Sequence, residues 1–137
     1  MAKVPSVDLS SLSKLAPSDL RLLWVNDWYD GPLEAVVEHR GERCLMVLHN
    51  HDFASDKPYE WIVLRLSPEQ LAEEERWHTL FAENVGDHWC FHAHVKMHAE
   101  GAEGRDPAKF YDAFKTRTPL DLSKSEVIGW LDEMPVG

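Results

Sequence analysis

Ser67-Pro68-Glu69-Gln70-Leu71-Ala72-Glu73-Glu74-Glu75-Arg76-Trp77-His78-Thr79-Leu80-Phe81-Ala82-Glu83-Asn84-Val85-Gly86 is the stretch that decides the fold. Ser67 has the chemistry of a helix N-cap, Pro68 suits the first helical position, and Gln70 completes a capping box. Gly86 supplies a left-handed stop after Val85. At 100° per residue, Leu71, Trp77, His78, Phe81, Ala82 and Val85 gather on one face, while Glu69, Glu73 and Glu83 point away. Glu74 falls among the apolar positions, one turn before His78. The spacing therefore predicts an amphipathic helix over 67–85, packed on one face of a sheet.

On both sides of this helix the hydrophobic period is two. Leu22-Leu23-Trp24-Val25 reads as a buried strand, and Asp27-Trp28-Tyr29-Asp30-Gly31-Pro32 reads as a turn. Leu33, Ala35 and Val37 alternate with Glu34 and Glu38, the pattern of a half-buried strand. Gly41 marks a turn, Cys44 to Leu48 returns as a buried partner, and Tyr59 to Leu66 is a further strand beyond a polar loop over 49–58. After Gly86, Trp89, Phe91, Ala93, Val95 and Met97 alternate with His88, Cys90, His92, His94 and Lys96. That is a strand with an apolar face and a histidine face. Residues 99–106 form a Gly/Glu/Asp loop, Asp106-Pro107 opens a second, shorter helix carrying Phe110, Ala113 and Phe114, and 126–131 closes the chain as a strand. The prediction is an α+β fold with an antiparallel sheet of about five or six strands, a meander in its first half. Residues 1–17 form an N-terminal lead-in with room to be flexible, and 18–137 one domain.

The chain has 137 residues, of which 44% are hydrophobic and 28% charged, enough for a core without disulfide or metal staples. Lys and Arg number 14 against 24 Asp and Glu, a formal net charge of −10. Such a surface repels phosphate, which disfavours direct nucleic-acid binding and docking on anionic lipid. Cys44 and Cys90 sit in apolar runs and set no disulfide framework. No apolar run reaches the roughly 18 residues of a membrane span, and none near the start has signal-peptide form, so a cytoplasmic protein is expected.

Candidate chemistry concentrates in the eight histidines, five of which lie between 78 and 98. His92 and His94 share one strand face with His88 and Cys90, and His49 and His51 form a second pair beside Asp52. Zinc or another transition metal would accept such N and S ligands if two strands brought the pairs together. The same row also describes a plain polar outer face, because every spacing is short-range and none matches a zinc-ribbon or finger signature. His49-Asn50-His51 is no nuclease signature, since its residues are adjacent in an acidic chain. Glu74 and His78 make an i, i+4 pair that either orients an imidazole as a base or ties helix to sheet. Asp27, Trp28, Tyr29 and Asp30 combine two large aromatics with two acids, the make-up either of a binding hot spot or of a turn whose Trp28 folds back as a lid on the core. No phosphate loop, Cys-x-x-Cys pair or Gly-x-Ser-x-Gly elbow is present, which argues against the common enzyme classes.

Trp24, Asp27-Trp28-Tyr29-Asp30-Gly31-Pro32-Leu33, Glu73-Glu74-Glu75-Arg76-Trp77-His78, His88-Trp89-Cys90 and Glu126-Val127-Ile128-Gly129-Trp130 together resemble a group of small uncharacterised bacterial proteins. The likeness spans most of residues 22–131. It implies a bacterial or phage setting and no particular activity. In size and acidity the chain also resembles immunity proteins of bacterial toxins and phage inhibitors of defence systems. The expected function is non-enzymatic: an acidic inhibitor or binding protein that occupies a basic site on a partner protein, with Asp27, Trp28, Tyr29 and Asp30 as contact residues and no cofactor. The alternative is a metal-binding protein built on His88, Cys90, His92, His94, His49 and His51.

Overall fold

The computed structural model of the protein describes residues 2–28, 32–86 and 106–136, with backbone alone at Asp27, Trp28 and Pro32. Among the described residues five strands form one antiparallel sheet in the order β1 (Leu20–Trp28), β2 (Pro32–His39), β3 (Glu42–His51), β4 (Tyr59–Arg65) and β5 (Val127–Leu131). With the described helices α1 (Pro68–Asn84) and α2 (Pro107–Phe114), this is the α+β fold that the sequence predicts. No described helix is long and apolar enough to cross a membrane. The expected strand over 88–97 lies outside the described residues.

The described residues divide into two compact units within what the sequence presents as one domain: residues 1–68 with 119–137, and residues 69–118. In the first, consecutive strands pair as a meander. The β2–β3 turn puts Arg40 at φ 50° and Gly41 at φ 80°, the two left-handed residues that a two-residue hairpin of right-handed twist requires. Val36 pairs with Leu45, Leu45 with Leu64, and Val47 with Ile62, so these side chains share one face. They form a buried cluster with Trp24 and Leu122. On the other face Ala35, Val37, Cys44, Met46 and Val63 are fully buried too. β2 is thus buried on both sides, against the half-buried reading, because Val36 joins Val37 inside and even Glu34 is only 6% exposed.

The N-terminal lead-in is part of this unit's core. Ala2, Val4, Val7, Leu9 and Leu12 pack on the Val36–Leu45 cluster. Asp8 caps a single 3-10 turn at Leu9–Ser11, accepting from the Ser10 amide at 3.0 Å and the Ser10 hydroxyl at 2.8 Å. Those bonds favour its ionised form and lower its pKa, the side-chain bond contributing most. Lys3 N donates to Leu120 O at 2.8 Å and Leu122 N to Lys3 O at 2.7 Å. Farther along, Leu15 N donates to Trp130 O at 2.7 Å and Trp130 N to Ser13 O at 3.0 Å, so the segment caps the outer edge of β5. An alanine-like Cβ on Gly129 would lie 2.6 Å from Ser13 O and 2.9 Å from Leu15 Cγ. Glycine there is a requirement of close approach.

Two strands overrun their expected ends. Asp27 and Trp28, expected in a turn, finish β1 opposite Glu34 and Pro32. His49, Asn50 and His51, expected in a loop, finish β3, with Asn50 opposite Glu60 and His51 opposite Tyr59. Ladder pairing uses backbone groups that every residue except proline offers in full, so polar side chains do not end a hairpin whose partner strand continues.

In the second unit, Val85 N and Gly86 N both donate to Phe81 O, at 2.8 and 2.9 Å, and Gly86 adopts φ 96°. That is the glycine stop anticipated for α1. Asp106 caps α2, its carboxylate accepting from Lys109 N at 3.2 Å. Trp77, Phe81 and Val85, the row expected to meet strand residues, cluster here with α2. Trp77 stands edge-on to Phe114 at 5.4 Å, and Phe81 edge-on to Phe110 at 5.3 Å. Phe110 and Phe114 stack at 5.2 Å. Rings spaced four apart on both helices suit this interdigitation, which adds about 0.5–1.5 kcal/mol per pair beyond burial.

Candidate functional site

Of the residues expected to bind a partner, Asp27 and Trp28 end β1, paired with Glu34 and Pro32, while Tyr29 and Asp30 lie outside the described residues. On β2, the buried carboxylate of Glu34 accepts from Asn26 Nδ2 at 3.1 Å and from Ala2 N at 3.4 Å. A carboxylate so placed would lose too much hydration without such donors. Glu34 was not legible as a buried acid, because in the alternating pattern it occupies the solvent-facing phase.

Of the metal candidates, His88, Cys90, His92 and His94 lie outside the described residues. His49 and His51 are exposed, and His49 sits at a register irregularity between Leu48 and Asn50. Among the described residues no three His, Cys, Asp or Glu side chains converge as metal ligands. Cys44 behaves as a buried hydrophobe. Burial pushes its thiol up to about 11, with the Glu42 charge adding and Arg65 opposing. A thiol so held is a poor nucleophile at neutral pH.

Glu74 finds a partner that the i, i+4 pattern did not reveal. Its side chain is completely buried and accepts a short hydrogen bond from Arg117 Nη2, a side chain only 8% exposed. The guanidinium carbon of Arg117 lies 5.3 Å from the Phe114 ring centre and 5.9 Å from that of Trp77. The Arg76 guanidinium carbon lies 4.5 Å from the Trp77 ring centre, and the indole Nε1 donates to Glu73 at 2.8 Å. Hydrogen bonds from Arg76 and then from Trp77 hold the Glu73 carboxyl below its ordinary value. The cluster joins α1 to the segment after α2 through charge and rings, and no nucleophile stands among these side chains.

A third grouping lies at the β3–β4 end. The rings of His51, Phe53, Tyr59 and Trp61 follow one another at centroid distances of 5.2, 5.8 and 5.5 Å. Trp61 is 2% exposed and Phe53 64%, so the row runs from core to solvent. Residue pairing explains it: His51 opposes Tyr59, and Trp61 follows on the same strand face. The sequence shows these aromatics, but the loop between them conceals that they meet. Compared with family models, with characterised proteins and with solved structures, the chain finds no match.

Proposed function

We propose that this chain is a non-enzymatic, cytoplasmic binding protein, of bacterial or phage setting, that inhibits or shields a partner protein by seating an acidic surface on its basic site. Its formal net charge of −10 carries the reading. Of the cations that remain, several are already held in surface ion pairs: Lys14 by Asp132 at 3.1 Å, Arg21 by Glu38 at 3.2 Å, and Lys57 by Glu133 at 2.6 Å. The surface field is therefore strongly negative, which speeds encounter with a basic partner and weakens as salt screens it. The aromatic-acidic sequence Asp27, Trp28, Tyr29 and Asp30 is the assigned contact. Affinity capture from the native cell at low and at high salt tests the proposal. A basic protein recovered at low salt and released at high salt is the expected result; recovery of no basic partner at either salt refutes it.

A further inference from the structure

The ring row at the β3–β4 end has features that neither the core nor the β1–β2 hairpin explains. A single exposed aromatic is ordinary, but here Phe53 is held in place by two ring neighbours, edge-on to Tyr59 and tilted at 53° to His51. The loop that carries it is internally braced. Asp52 N donates to Pro58 O at 2.7 Å, Ser55 N to Asp52 O at 3.0 Å, and Ala54 N to Asp52 Oδ1 at 3.0 Å. An exposed ring that is already ordered loses little entropy when something covers it.

The charges around the row point to what that is. Flanking Phe53 in the chain stand Asp52 and Asp56 against one cation, Lys57, whose ammonium is bound to Glu133, while Glu60 alternates to the opposite strand face and accepts from Asn50 Nδ2 at 3.2 Å. The face of a phenyl ring attracts cations through its quadrupole, and carboxylates beside it attract the same ion. An anionic or purely apolar occupant would have to overcome those carboxylates. A second copy would bring −10 against −10.

We propose that His51, Phe53 and Tyr59 form a docking surface for an arginine- or lysine-bearing segment of a partner protein, the cation lying on the Phe53 ring within reach of Asp52 or Asp56. This rests on the acidic-binder reading and gives it contact residues other than Asp27 to Asp30. Arginine fits better than lysine, because its planar guanidinium stacks on a ring while its edge donates to a carboxylate.

The test is a titration of the full-length, ¹⁵N-labelled protein with capped Gly-Arg-Gly-Arg-Gly, its lysine counterpart and its glutamate counterpart, followed by amide chemical shifts at low and high salt. Saturable shifts at residues 51–59 with the arginine peptide, weakened by salt and absent with the glutamate peptide, are expected. Phe53→Leu keeps an apolar group and should weaken the arginine peptide about fivefold, while Phe53→Trp holds or improves it. An unchanged affinity in Phe53→Leu overturns the proposal. Shifts gathered at the 27–34 hairpin and missing from 51–59 overturn it while leaving the acidic-binder reading intact. No saturable shift with either cationic peptide overturns both. Shifts at 51–59 that track protein concentration without peptide assign the surface to a second copy and overturn the proposed occupant.

Discussion

Replacing Gly129 by alanine would put a methyl group 2.6 Å from Ser13 O and 2.9 Å from Leu15 Cγ, distances at which something must move. The nearest atom is backbone, so no side-chain rotation relieves the clash. Either the 13–15 segment shifts within a packed region or it detaches from β5. Detachment forfeits the Leu15–Trp130 and Trp130–Ser13 backbone bonds. At a net ~1 kcal/mol per bond, or the ~1–3 kcal/mol of an overpacked site, the expected loss is about 2–3 kcal/mol. Urea unfolding measures the loss, and native-state hydrogen exchange at the Leu15 and Trp130 amides shows where it falls. Gly41→Ala is the control: nothing lies within 4 Å of its Cβ, but φ is +80°. It should cost roughly 1–2 kcal/mol through backbone strain and leave Leu15 protected. A Gly129→Ala protein with an unchanged midpoint and undiminished protection at Leu15 would refute the close-approach argument.

Three further outcomes are expected. Arg117→Met removes the cation paired with the buried Glu74 carboxylate and should cost about 3–5 kcal/mol, whereas Glu74→Leu combined with Arg117→Met should recover most of it; equilibrium unfolding of both single variants and the double variant closes the cycle. Glu73 has a folded pKa below its ordinary 4.5, so its contribution to stability is present above that value and disappears as pH falls through the lowered one. Acid titration of stability should therefore be shallower in Glu73→Gln, and an unchanged slope would contradict the bond to Arg76. Elemental analysis of untagged protein should show substoichiometric metal with a melting temperature indifferent to chelator. A stoichiometric transition metal would instead establish the alternative built on His88, Cys90, His92, His94, His49 and His51.

What was legible in the sequence was whatever is written locally. α1 announces itself through Pro68, a single apolar face and Gly86, and the β2–β3 hairpin through Gly41 between two alternating runs. The rest depends on partners distant in sequence. Residues 2–15 carry no sustained period, and their apolar side chains become core only because β5 and Leu122 arrive beside them. Glu74 is 43 positions from Arg117, so a local pattern reaches His78 and not the guanidinium. The ring row beyond β3 has the same origin. His51, Phe53 and Tyr59 straddle a turn-rich segment, and only the register of β3 on β4 brings them into one row. The strands run past their expected ends for a related reason, because Asp27, Asn50 and His51 have loop-like side chains on backbone that is still paired.

The belt formed by residues 2–15 also governs the order in which the chain can be built. During synthesis β1 to β4 emerge in sequence and zip onto one another, each strand meeting the one just made. The belt is synthesised before β1, yet its hydrogen-bonding partners at Leu120, Leu122 and Trp130 follow only after β4, α1 and α2. Until then Val4, Val7, Leu9 and Leu12 have only the incomplete cluster to pack on, and β5 is not there to be edged. Closing so long a loop is the slow, entropically costly step of the assembly, and the apolar belt is exposed to aggregation while it waits. Chaperone dependence during translation should therefore track residues 2–15, although Leu120, Leu122 and Trp130 are the residues that relieve it.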